Sequence, residues 1–176
     1  MRDFEKKVSR EFNSRFLRYG AQPKSSLWFS EERQILRFDL MISLMKNNGA
    51  NRRFTVNDIG CGYGGFLERL TVSFRHKEFS YLGFDIAKNP IEYCKRNFVQ
   101  QGVQFYCGSI PAQMADYSVM SGTFNYAPGL SVNEWKNYLF DNLTSIWSLT
   151  RRRMIFNLMI SNEAVITSQD ISFIEK

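Results

Sequence analysis

Apolar residues recur along the chain with two periods, and the changes between them divide it into elements. Phe4, Val8, Phe12 and Phe16 fall every four residues, the spacing of one face of a helix. Gly20 and Pro23 interrupt that face. Ser30 is a good N-cap, and Glu31 and Glu32 follow in a first turn where carboxylates suit the helix dipole. Ile35, Phe38, Ile42 and Met45 mark this second helix, which Asn47-Asn48-Gly49 should end. Phe54 to Ile59 reads as a short strand running into a glycine cluster. Phe66 to Phe74 reads as a helix, and Ser80 to Phe84 as a strand closed by Asp85. Asn89-Pro90 predicts a helix start, with the helix running to about Gln101 and closed by Gly102. Val103 to Cys107 is a third strand, and Tyr117 to Met120 begins a fourth. Val132, Trp135, Leu139, Leu143 and Ile146 form a buried helix face, and Met154 to Ile160 a fifth strand.

Strands alternating with helices imply an α/β fold: a doubly wound, mostly parallel sheet with helices on both faces, preceded by N-terminal helices. One domain fits the 176 residues. Residues 1–50 are expected to form a helical cap, 51–160 the core and 161–176 a C-terminal tail. Right-handed crossovers put the glycine cluster at the carboxyl edge of the first strand, where open α/β sheets bind ligands.

Sixteen Phe, eight Tyr and three Trp supply much of the core. The net charge of +6 fits either a basic soluble surface or an anionic partner such as nucleic acid. Its densest run, Arg151-Arg152-Arg153, should mark a solvated strand entrance. Cys61, Cys94 and Cys107 are scattered, with neither disulfide nor zinc spacing, and the one histidine, His76, lies in a polar stretch. Metal-dependent and Ser-His-Asp chemistry are therefore not expected. The charged start Met1–Lys7 lacks the apolar run of a secretory signal, and no stretch has the length of a membrane span, so a cytoplasmic location is expected.

The chemistry concentrates in Val56-Asn57-Asp58-Ile59-Gly60-Cys61-Gly62-Tyr63-Gly64-Gly65. Glycines let a strand turn sharply into a helix and let backbone approach a ligand closely. Gly60, Gly62 and Gly65 satisfy G-x-G-x-x-G, and Asp85 supplies the acid expected about twenty residues on to hold a ribose. Asp58 and the additional Gly64 turn the pattern away from dinucleotide binding.

The run Asp58-Ile59-Gly60-Cys61-Gly62-Tyr63-Gly64 resembles motif I of class I S-adenosylmethionine (SAM)-dependent methyltransferases, with the likeness covering roughly residues 54–160. The resemblance implies a Rossmann-like fold and a turn, Asp58 through Gly64, that wraps the methionine part of SAM. It also implies that Asp85 binds both ribose hydroxyls and Ile86 packs on the adenine. Trp28, Ser30, Glu32, Gln34 and Arg37-Phe38 resemble an N-terminal segment of a bacterial subgroup, in which Arg37 would reach the SAM carboxylate or serve in packing.

Gly108-Ser109 departs from the Gly-Asp common in the family. Adenine would then be met by the Ser109 hydroxyl and by backbone such as that of Ile110. Ser121-Gly122-Thr123-Phe124-Asn125-Tyr126 occupies the transfer position and is not the Asn-Pro-Pro-Tyr of nucleic-acid amino methyltransferases. Asn125 and Tyr126 are the candidates for orienting an acceptor, and Phe124 or Tyr126 could face the sulfonium. The family's sheet has two further strands for which residues 161–176 are too short. The fifth strand would then be an edge, covered by the tail or by a second copy in a homodimer.

The expected activity is methyl transfer from SAM to a small-molecule acceptor, releasing S-adenosyl-L-homocysteine (SAH). A SAM-binding scaffold without catalysis, an RNA methyltransferase and an NAD-dependent oxidoreductase are the alternatives.

Overall fold

The computed structural model describes residues 2–46, 53–74 and 79–176. The helix stop expected at Asn47–Gly49 and the surface position expected for His76 lie outside them. The chain forms α1 (Asp3–Tyr19), a 3-10 turn (Pro23–Ser26), α2 (Glu31–Lys46), β1 (Phe54–Ile59), α3 (Gly65–Ser73), β2 (Phe79–Asp85), α4 (Lys88–Asn97) and β3 (Val103–Cys107). β4 (Ala115–Met120), α5 (Val132–Ser148) and β5 (Thr150–Phe156) follow, then the short β6 (Ile160–Ser161), β7 (Val165–Ile166) and β8 (Ser172–Glu175).

β1 to β5 make one parallel sheet in the order β3-β2-β1-β4-β5. Strand residues alternate between two cores, which is the physical basis of the doubly wound arrangement. Phe54 and Val56 of β1, Tyr117 and Val119 of β4 and Ile155 of β5 pack with apolar side chains of α2, α3 and α4. Ile59, Met120 and Met154 belong to the opposite face, beneath Trp135, Leu139 and Ile146 of α5. The order reverses between β1 and β4, so a crevice opens above their carboxyl ends.

Local chemistry explains the helix ends. The Arg33 amide donates to Ser30 Oγ (3.2 Å) before α2, and Ser131 and Glu134 cap α5 reciprocally. The start of α4 differs from the expectation. Ala87 is its N-cap, and the Asn89 amide donates to Asn13 Oδ1 of α1 (2.7 Å), a cap brought in from a distant helix. Ser9 Oγ likewise donates to the Ile86 carbonyl (2.8 Å), so α1 is fastened over the β2–α4 loop. The same helix ends at Asn97 rather than near Gln101.

β5 also differs. It begins at Thr150, so Arg151, Arg152 and Arg153 stand within the strand rather than before it, and Met159 and Ile160 lie beyond it. Arg152 pairs with Asp116 (3.2 Å) and Arg153 donates to the Leu44 carbonyl (3.1 Å). β5 is an edge of the five-stranded sheet. Its arginines oppose pairing with another edge, which weighs against a homodimer formed there. Residues 160–175 do not extend the sheet. β6, β8 and β7 form a separate three-stranded sheet that returns to the loop after β4, where Tyr126 bridges Ile171 and Ser172 N donates to the Asn125 carbonyl (3.0 Å). Among the described residues, no helix is long and apolar enough to cross a membrane.

Candidate active site

A cavity of about 800 Å³ lies over the carboxyl ends of the sheet. Its floor is the turn after β1, the end of β2 and the loops after β3 and β4. Its roof comes from α1, the 3-10 turn, the start of α2 and the segment 167–173.

The β1–α3 turn is held tightly. Gly60 has φ +76°, and a Cβ there would meet Thr123 Oγ1 at 2.6 Å, so both conformation and space require glycine. Thr123 Oγ1 in turn donates to the Ile59 carbonyl (2.6 Å), tying the β4 loop to the turn. Gly62 has φ +53° and lines the cavity. Among the described residues, the only atom within 4 Å of a Cβ there would be Ser26 Oγ, at 3.0 Å.

Asp85 ends β2 beside this turn. Its Oδ2 accepts the Gly62 amide (2.9 Å) and its Oδ1 the Ala87 amide (2.8 Å). Backbone amides engage both oxygens, and an ionised carboxylate has about four acceptor positions, so capacity for a further donor is left. Burial pushes its pKa up, and the backbone amides oppose that shift. The arrangement fits a nucleoside: a carboxylate with free lone pairs adjoins a glycine turn that admits close approach.

Asp58 lies one strand inward, buried, and accepts the Tyr81 hydroxyl at 2.5 Å. Burial pushes its pKa up to about 7, against the Tyr81 hydrogen bond, and the Asp85 charge adds to the rise. A buried acid of this kind suits a ligand carrying positive charge, which would restore its ionised form. Cys61 is buried with its thiol pushed up, chiefly by desolvation, so it is a packing residue and not a nucleophile. Tyr63 donates to Gln34 Oε1 of α2 (2.7 Å), joining the turn to the roof.

The structure brings Asp58, Gly60, Cys61, Gly62, Tyr63, Asp85, Ile86, Ser109, Asn125, Tyr126 and Arg37 to this one cavity. Arg37 stacks its guanidinium over Trp28, 4.9 Å from the ring centroid. Gly64 and Ile110 are placed elsewhere. Gly64 is the N-cap of α3 and faces Phe98 of the α4 end, while Ile110 is 46% exposed and outside the cavity wall. Asn125 is engaged structurally, since its Oδ1 accepts the Met159 amide (3.3 Å). The sequence reading expected a helical cap over residues 1–50 but missed Tyr81, whose hydroxyl meets Asp58, and the wall supplied by residues 167–173. The four-residue spacing of Phe4, Val8 and Phe12 gave the face of α1 that lines the cavity.

Residues 57–139 match the family described as a methyltransferase domain. The chain has the Rossmann-like fold of class I methyltransferases. The chain is 31% identical over 109 residues to Rv1506c of Mycobacterium tuberculosis, which is named as a methyltransferase; the match takes in 61% of this chain and 64% of that protein. Its fold is similar to that of a SAM-dependent methyltransferase of Leishmania major, with TM-score 0.70 and 16% identity, over 98% of this chain and 68% of the other. It is also similar to magnesium protoporphyrin IX methyltransferase of Synechocystis, solved with bound SAM, with TM-score 0.66 and 15% identity, over 100% and 81% of the two chains. The match to the methyltransferase family begins within β1 and runs into α5, so it takes in the glycine turn, Asp85 and the loop after β4.

Proposed function

We propose that the protein transfers a methyl group from SAM to a small-molecule acceptor. The observation that carries this reading is the bond between the Gly62 amide and Asp85 Oδ2 (2.9 Å), which sets a glycine turn and a carboxylate side by side at the switch point of the sheet. The methyltransferase family match over the same residues and the SAM-bound relative support it.

In this reading Asp85 accepts the two ribose hydroxyls, and Ile86 with the Gly108–Ser109 segment borders the adenine. Gly60 to Tyr63 wrap the methionine portion, and Arg37, held over Trp28, answers its carboxylate. Asp58 compensates the positive charge. When bound, SAM supplies an activated methyl on a sulfonium, so the difficult chemistry belongs to the cofactor. The chain's own contribution is to fix the cofactor, align the acceptor and exclude water beneath α1 and residues 167–173. Tyr126, in edge contact with Phe12 (5.8 Å between centroids), borders the transfer position.

The basic run does not favour an RNA acceptor. Arg151 to Arg153 begin β5, at the amino edge of the parallel sheet and opposite the cavity, and two of the three are bonded within the chain. A melting titration tests the proposal. SAM or SAH at a hundred times its dissociation constant should raise the melting temperature by roughly 5–10 °C, while NAD leaves it unchanged. A rise with NAD alone would overturn it.

A further inference from the structure

We infer that the methyl acceptor is a ring-bearing, largely apolar molecule, held in the half of the cavity above β4 and β5; the inference rests on the methyltransferase reading. A nucleoside strung from Asp85 to the β1 turn occupies the β3-β2-β1 side of the sheet, which leaves the β4 and β5 side for the second reactant. That side is walled by Phe4, Val8 and Phe12 of α1, Tyr126 after β4, and Ile171 and Phe173 beside and within β8. The three elements are locked to one another: Phe12 meets Tyr126 edge-on, Tyr126 bridges Ile171, and the Phe4 ring sits 4.7 Å from that of Tyr138.

Several polar atoms of this wall are already engaged, while Ser121 Oγ and Arg15 Nε are buried without a partner among the described residues. Trp135 Nε1 donates to the Phe124 carbonyl (2.8 Å), the Tyr138 hydroxyl to Glu5 Oε1 (3.2 Å), and Asn125 Oδ1 accepts the Met159 amide. Thr167 Oγ1 accepts the amides of Gln169 (3.3 Å) and Ile171 (3.2 Å). Of the charged groups lining the cavity, Glu11 and Arg15 pair with each other at 3.6 Å. A phosphate or carboxylate set against the aromatic wall would lose hydration to ring faces and edges that cannot replace it. An aromatic or alicyclic ring would instead exchange water for ring edges and faces.

The test uses the full chain saturated with SAH, so that only the acceptor half is open. Nile red, a flat uncharged dye, is titrated by fluorescence, a labelled ten-nucleotide RNA by anisotropy, and SAH itself by calorimetry. The expected result is saturable brightening of the dye and no saturable RNA binding at physiological salt. Phe12→Ala and Val8→Glu should each weaken the dye about tenfold or more while leaving SAH affinity unchanged. Leu17→Glu, at an exposed position outside the cavity wall, should alter neither. SAH binding with dye affinity equal in wild type and both variants overturns the acceptor assignment, as does saturable RNA binding. A wild-type chain that gives no heat with SAH but binds the dye through Phe12 overturns the cofactor reading and leaves the apolar site supported.

Discussion

Replacing Asp58 with Asn should stabilise the protein at alkaline pH and weaken its hold on a cationic ligand. The carboxyl group is buried in β1 beneath the cavity, and its pKa rises from 3.8 to about 7, chiefly through burial. A shift of that size corresponds to about 4 kcal/mol of preference for the neutral form. The folded-state value is the raised one, so the folded chain binds the proton more tightly than the unfolded chain. The stabilisation is therefore complete below pH 4 and is lost as the pH climbs through 7. Between pH 5 and pH 8 this one group should remove about 2–3 kcal/mol. The amide oxygen introduced by Asp58→Asn can still accept the Tyr81 hydroxyl and carries no charge at any pH. Asp85, also raised, is present in both proteins, so the comparison reads Asp58 together with its coupling to Asp85. Urea denaturation at pH 5 and pH 8 reads the effect: the wild type should lose about 2–3 kcal/mol more than the variant across that interval. Equal losses in the two proteins would refute the assignment of Asp58 as a buried acid poised near neutrality. At pH 8 the variant should also bind SAM more weakly relative to SAH than the wild type does, because the sulfonium charge is lost from SAH.

Three further outcomes follow from the geometry. Asp85→Ala should weaken SAH binding by roughly 1–3 kcal/mol in calorimetry, through loss of charged hydrogen bonds, and an unchanged dissociation constant would count against the ribose assignment. Asn13→Ala removes the acceptor for the Asn89 amide and should cost about 1 kcal/mol in denaturant unfolding, the usual effect of losing a cap; no change would mean water replaces it freely. Gly83→Ala places a Cβ 2.6 Å from Phe105 Cδ1 and 3.0 Å from Cys61 Sγ, and should destabilise by about 1–3 kcal/mol, a cost that wild-type stability in the variant would contradict.

Elements whose buried residues are also their apolar residues were legible in the sequence. β1 was bounded correctly because Phe54 to Ile59 ends at a glycine that no other residue can replace. The face of α5 was legible because Trp135, Leu139 and Ile146 all point into one core. β5 was displaced because its first residues are arginines on an edge, where hydropathy says nothing about pairing. The start of α4 was misplaced because its amide partner, Asn13, comes from another helix 76 positions away in sequence. The short strands β6 to β8 carry too few residues to show a period, and their order comes from backbone ties to Asn125 and Ala127.

The placing of the glycine turn beside Asp85 was legible for a different reason. Glycines at one strand end and an acid at the next are local signals that parallel neighbouring strands bring to the same edge of the sheet. Gly64 and Ile110 show the limit of that logic. The first serves the packing of α3 on Phe98, and the second turns outward after β3, though both lie within segments read as binding.

The most direct test is a crystal structure of the chain grown with SAH. Density is expected above the Gly60–Gly62 turn, with both ribose hydroxyls within hydrogen-bond distance of Asp85. A nucleoside bound elsewhere, or a ribose turned away from Asp85, would contradict it.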